Sequence, residues 1–420
     1  MKRKITIILS IIFISTVPLF SVGFDWGGAL QNTTDFKYSE AENLWSPTQV
    51  DSLSLWMELN VSPLFNMKAS GGYRFMYSDE TVSHIPEFGA FYAYGGNKQI
   101  SYKAGRFAMK DNNNRLFSTI FDGASFGYKN ELFKISSGVG FTGLVFSDNS
   151  SVTMTSLDYQ AVEDNALLAS PRLFEYAETS LFILPGDGQL NIALLAQQDM
   201  RASSSLSSQE GLLHTFYLNV GVKGRLGSLF FYNLYGTGEL GTYNMSADDR
   251  QLLLIAGAGG LRIDLPLPLP LKPLISVDLY ISSGDDWGRT DHNGSFIEAE
   301  KEYLYQYTPF TLQNKGYVYS VGTGNLMYGD VNISITPASF LSVTLGSLTM
   351  FRPVDGPVAT IPVTEGDSGA FLGEELTLAV NLRPLSDLGF QIKGGMFIPN
   401  SPVVSDGMQY KISAFMSLSF

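Results

Sequence analysis

Tyr410–Phe420 reads YKISAFMSLSF and alternates strictly. Tyr410, Ile412, Ala414, Met416, Leu418 and Phe420 form one face, and Lys411, Ser413, Phe415, Ser417 and Ser419 the other. A period of two belongs to a strand, and one apolar face against one mostly polar face means that its two sides meet different media. The pattern recurs along the chain. Leu53, Leu55, Met57, Leu59 and Val61 oppose Ser54, Glu58 and Asn60. Phe216, Leu218, Val220 and Val222 oppose Tyr217, Asn219 and Lys223. Ile275, Val277, Leu279 and Ile281 oppose Ser276, Asp278 and Tyr280. Leu376, Leu378, Val380 and Leu382 oppose Glu375, Thr377, Asn381 and Arg383.

The connections alternate between short and long. Tight-turn residues mark 62–66, 95–98, 129–132, 185–188, 224–227, 267–273, 336–339 and 383–387. Longer polar stretches lie near 39–49, 79–86, 108–118, 147–171, 200–210, 242–249, 285–325, 352–370 and 399–407. Nine loops and eight turns require about eighteen strands with both ends on the turn side, the parity of a closed barrel. A two-sheet sandwich of ~100 residues holds seven to nine strands, so eighteen would need two domains. No linker or composition shift divides the chain. The expected fold is therefore all-β, a transmembrane up-and-down antiparallel barrel. Residues 267–273, LPLPLKP, are expected to form an extended turn, because proline cannot donate to a ladder.

The first residues supply an address. Lys2, Arg3 and Lys4 precede an apolar stretch from Ile5 to Phe20, with small residues Ser21 and Gly23 placed for cleavage. This is the pattern of an export leader, too short and interrupted for a spanning helix. Residues 1–23 are expected to be a signal peptide and 24–420 the barrel. The formal charge is −13. Removing the three leader cations leaves 24 basic against 40 acidic residues, or −16. An acidic chain is a poor nucleic-acid binder. The 42 glycines, 29 phenylalanines, 21 tyrosines and absence of cysteine exclude a disulfide scaffold and suit an oxidising compartment.

The terminal strand resembles the C-terminal signal strand of bacterial outer-membrane barrels, which implies the barrel-insertion machinery and outer-membrane lipid as partners. Three further segments resemble the alginate-export-type porins: YKAGRFAMKDNNNRLFSTIFDGASFGY (Tyr102–Tyr128), LYISSGDDWGRTDHNGSF (Leu279–Phe296) and FLGEELTLAVNLRPLSDLGFQIKGGMFIP (Phe371–Pro399). Arg106 and Asp122 match that family's Gly-Arg and Asp-Gly positions. The resemblance implies an outer-membrane location, eighteen strands and a pore. Alginate itself would call for a strongly basic lumen, whereas parity turns both signs inward here. Among the inward set are Lys223, Arg262, Arg383 and Lys393, with Asp264, Asp278 and Glu375 as the acidic members. These are the candidate pore-lining residues.

The expected function is passive diffusion of small hydrophilic solutes, oligosaccharides or organic anions. The alternative is a sealed, surface-exposed structural or adhesive barrel whose long loops bind a partner. Loop 285–321, with Tyr303, Tyr305, Tyr307 and Phe310, is expected to fold inward. Trp26, Tyr73, Tyr77, Tyr92, Tyr128, Tyr232 and Phe351 are expected in interfacial girdles. No enzyme motif joins the three histidines to a nucleophile. No cofactor or metal is expected. Asp285, Asp286, Asp291 and Asn293 do not fit a calcium loop, since placing Asn293–Gly294 at its fifth and sixth positions puts Arg289 first.

Overall fold

The computed structural model describes residues 22–78, 81–113, 115–155, 158, 166–202, 211–245, 250–286, 302–311, 313–358, 369–400, 403–404 and 407–420. The leader assigned to residues 1–23 lies outside these, apart from Val22 and Gly23. The wall starts with β1 (Gly23–Ser39), β2 (Leu44–Ser62), β3 (Phe65–Ser78), β4 (Thr81–Gly96), β5 (Ile100–Lys110), β6 (Ser118–Lys129) and β7 (Phe133–Phe141). It continues with β8 (Arg172–Leu184), β9 (Gly188–Asp199), β10 (Gly211–Leu226), β11 (Phe230–Met245), β12 (Gln251–Pro266) and β13 (Leu274–Ser282). Three two-residue strands, β14 (Tyr303–Leu304), β15 (Asn314–Lys315) and β16 (Val321–Gly322), lie in the next connection. The wall ends with β17 (Met327–Ala338), β18 (Leu341–Phe351), β19 (Phe371–Leu382), β20 (Leu388–Pro399) and β21 (Gln409–Ser419).

Each wall strand pairs antiparallel with its neighbours, giving eighteen strands. Closure is made by β1 and β21, in register from Ala29↔Ser419 to Ser39↔Gln409. The seam ends with Gly28 N–H donating to Phe420 O (2.9 Å) and Phe420 N–H to Gly28 O (3.0 Å). Closure leaves no open edge, so the wall's peptide groups are satisfied without solvent.

All eight turns fall where the sequence placed them. At the β8–β9 turn the backbone has positive φ at Gly186 (68°) and Asp187 (57°), residue types that tolerate the left-handed region a tight hairpin needs. The proline-rich 267–273 connects β12 to β13, with Leu267 N–H donating to Pro273 O. Two loops are shorter than expected. β2 starts at Leu44, not after residue 49, and β4 at Thr81, not after 86. Here polar residues such as Ser46 and Thr48 continue the ladder, so composition alone does not mark the strand end.

The outer wall is an apolar belt. Leu218, Leu279, Leu345, Leu378, Ile392 and Ile412 are all exposed, while Tyr217, Asn219, Asp278, Tyr280 and Glu375 on opposite parity are buried. No helix among the described residues is long and apolar enough to cross a membrane. Tyr92, expected in a girdle, instead points inward and packs on Phe107, 5.8 Å between ring centres.

The two faces predict opposite responses to the same substitution. Ile392→Lys, on the outer belt, should cost about 2–4 kcal/mol in a bilayer, whereas Gln391→Lys, on the lumen face, should cost less than about 1 kcal/mol. Equilibrium unfolding of the two variants in lipid vesicles measures this.

Candidate functional site

Among the described residues, three connections on the loop side build the larger buried cluster in the lumen. Leu116 and Phe117 from the β5–β6 loop, Val152 and Met154 from the β7–β8 loop, and Leu304, Tyr307 and Phe310 from the β13–β17 connection are buried together. They pack on inward wall residues such as Phe121, Phe174, Leu195 and Tyr217. Val318, Tyr319 and Val321 join a second cluster with Tyr280, Tyr328, Met350 and Phe397. The inward fold expected for 285–321 thus holds for Tyr307, Phe310, Val318, Tyr319 and Val321, whereas Tyr303 and Tyr305 are exposed because β14 pairs alongside the end of β12.

Carboxylates hold these loops. Asp111 opens the β5–β6 loop and accepts N–H bonds from Asn113, Arg115, Leu116 and Phe117 at 2.9–3.0 Å. Burial pushes its carboxyl above the ordinary value, against these four donors. The turn throws Arg115 across the lumen onto Asp278 of β13 (3.1 Å), with its guanidinium over the Tyr235 ring at 5.2 Å. In the β7–β8 loop, Asp158 is paired with the fully buried Arg172 at 2.7 Å. Burial raises this carboxyl, but Arg172 and Arg201 outweigh it and hold the group below an ordinary aspartate.

The long connection is tied at four wall acids. Glu239 accepts Thr308 N–H (2.7 Å). Lys315 reaches Asp278 (3.4 Å) and Asp330 (2.6 Å). Glu375 accepts the N–H groups of Tyr317 (2.8 Å), Val318 (2.7 Å) and Tyr319 (3.1 Å). Backbone that leaves a ladder carries donors that need partners, and a wall carboxylate supplies several lone pairs at once.

The candidate residues therefore divide. Lys223 faces the lumen and donates to Asn112 O (2.9 Å). Lys393 stands 4.0 Å over the Tyr317 ring, and the Tyr317 hydroxyl donates to Lys393 O (2.9 Å). Arg262 and Asp264 pair with each other at 3.0 Å. They share a recess of about 320 Å³ near the turn side with Lys223, Arg225 and Asn233. Asp278 and Glu375 face inward but are occupied by the loops. Arg383 falls in the exposed β19–β20 turn, away from the other six.

Arg106 and Asp122 are not in the lumen. They pair across β5 and β6, Nη2–Oδ2 2.8 Å, on the parity opposite to buried Phe107 and Phe121, and so face outward. Arg106 also donates to Leu144 O (2.6 Å). Asp285 is buried and accepts Tyr305 N–H (3.0 Å). Asp291 and Asn293 lie outside the described residues. Among the described residues no acid or histidine cluster suits a metal. Sequence reasoning missed Asp111, Arg115 and Lys315. The asparagine-rich run after Asp111 was the available signal, since Asp and Asn accept backbone N–H groups in turns.

No family model and no curated protein matches the sequence. Solved structures do match the fold. OccK5 (OpdH) of Pseudomonas aeruginosa superposes with a TM-score of 0.58 at 11% identity, over 94% of this chain and 98% of that one. OccK11 (OpdR) gives 0.58 at 10% identity, over 94% and 96%. OccK2 (OpdF), solved in complex with glucuronate, gives 0.57 at 11% identity, over 94% and 98%. At such identity the likeness is one of fold. These neighbours are Occ outer-membrane proteins and not the alginate-export porins that the motifs resemble.

Glu375→Leu orphans three buried N–H groups, each worth about 1–3 kcal/mol. Amide exchange at Tyr317–Tyr319 should then speed up by at least about tenfold (~1.4 kcal/mol), and Glu375→Gln, which keeps an acceptor, should exchange more slowly than Glu375→Leu.

Proposed function

We propose that residues 24–420 span the bacterial outer membrane as a passive pore for small hydrophilic solutes, with anions favoured at the narrowest point. In this reading residues 1–23 are the removed export leader, and β21 is the strand that the insertion machinery engages. The apolar outer belt, the closed wall and the inward loops support it.

One observation carries the preference for anions. Several wall acids that face inward are committed: Glu87 to Arg74, Asp35 to Lys411, Asp278 to Arg115 and Lys315, Glu375 to three peptide N–H groups. By contrast Lys103, Lys134, Lys223 and Lys393 have no carboxylate within salt-bridge distance among the described residues. Lys103 lies over the Tyr92 and Phe107 rings, 5.5 and 5.7 Å from their centres. A cation in a narrowed, low-dielectric lumen attracts a passing anion more strongly than one in bulk water. Carboxylate solutes are therefore the class to test first, and glucuronate, held by the OccK2 neighbour, is a suitable probe.

The purified protein in planar bilayers should conduct, and its reversal potential in a salt gradient should show mild anion preference. Charge reversal at Lys103, Lys134, Lys223 and Lys393 should turn that preference toward cations. Deleting Tyr303–Thr311 should raise conductance. Silence in every salt would instead favour a sealed barrel that binds a partner through its loops.

A further inference from the structure

On the β1–β2 part of the outer wall a polar group stands midway between aromatic ends. On β1 the outward parity is set by exposed Leu30 and Phe36, and on β2 by exposed Leu55 and Met57. Asn32 and Asp51 fall on those same faces and are register partners. Asn32 Nδ2 donates to Asp51 Oδ1 (2.6 Å), and Gln49 Nε2 donates to Asp51 Oδ2 (2.8 Å). Asn32 is midway between Trp26 and Tyr38 on β1, and Asp51 midway between Trp45 and Met57 on β2. Met416 and Phe75 flank the pair on the neighbouring strands. A carboxylate with two amides therefore stands at the centre of a face that otherwise suits hydrocarbon.

Lipid does not satisfy such a group. Acyl chains offer no donor, headgroup phosphates stay at the interfaces, and water is absent at that depth. Each Asp51 oxygen keeps a free lone pair, and the Asn32 amide keeps a second N–H. The occupant must bring donors and acceptors at the same depth.

We propose that this patch is the centre of a contact between two copies of the chain, related by a two-fold axis along the membrane normal. An axis in that direction preserves depth, so mid-height residues meet mid-height residues. Passing between β1 and β2, it sets Asn32 of one copy against Asp51 of the other, and the reverse. Amide then meets carboxylate twice, and the two carboxylates are offset from each other. An isologous contact of this kind is self-complementary without any other component. The rim is already apolar, formed by Leu30, Phe36 and Leu53 on the two strands. The inference rests on the barrel spanning a bilayer but not on what its lumen passes.

The chain has no cysteine, which makes the test clean. Thr34→Cys places a thiol on the outward face of β1 beside Asn32, and Leu218→Cys places one on the opposite wall, on β10. In intact outer membranes, a short bismaleimide should give a cross-linked dimer of the chain with Thr34→Cys and not with Leu218→Cys. Adding Asp51→Leu, Asn32→Leu and Gln49→Leu to Thr34→Cys should abolish that dimer while the barrel keeps its heat-modifiable mobility. Equal yields from the two cysteine positions, no dimer at Thr34, or a cross-link there only to a different protein would each overturn the proposal. If the triple variant fails to fold, the Thr34–Leu218 comparison alone decides.

Discussion

A closed wall of eighteen strands encloses a lumen wider than its own side chains can span. Everything inside the barrel follows from that width. Either water fills the lumen or chain does, and chain that enters brings peptide N–H groups with no ladder partner. Here loops enter, and acids meet them: Asp111 from within its own loop, Glu239 and Glu375 from the wall. Apolar residues of the same loops then cover the wall's inward aromatics. The loops are thus held by directed bonds at a few points and by packing between them.

This use of the acids sets the electrostatics of what remains. The formal charge of −13 says little about the lumen, because charge acts locally within a Debye length. Glu375 is nearly inaccessible and already surrounded by three donors. Asp278 is shared between Arg115 and Lys315. Lys393 rests on an aromatic face, which leaves its N–H donors free on the far side. A chain rich in acid can in this way keep several lysines of its lumen clear of carboxylates.

The fold was legible because it rests on local rules. Period two, turn residues and the alternation of short with long connections are all read within a dozen residues. The strand ends at Leu44 and Thr81 were not, since those strands continue past the apolar belt on polar residues. The site was legible only by half. Parity turned Lys223, Lys393, Asp278 and Glu375 inward correctly, but what each one meets lies far along the chain. Arg115 and Asp278 are 163 positions apart, and Glu375 and Val318 are 57 apart. No spacing rule reaches that far. The facing of Arg106 and Asp122 stayed open in the sequence for another reason: a motif fixes residue types, and the face of the wall they occupy depends on the register of β5 against β6.

Parity has a further consequence for polar residues on a barrel, because the same side chain has opposite meanings on its two faces. Asp264 on the lumen side pairs with Arg262 beside a recess, where water can complete its shell. Asp51 on the outer side has only Asn32 and Gln49 among the described residues. The first is an ordinary member of a wet surface and needs no further partner. In a bilayer the second meets a medium that supplies no hydrogen bonds, so its two bonds would leave it short of what a carboxylate takes in water. A hydropathy average counts the two aspartates alike. The distinction appears only when register assigns each residue to a face, and on the outer face it turns an inconspicuous Asn–Asp–Gln set into a feature of the wall that requires a neighbour.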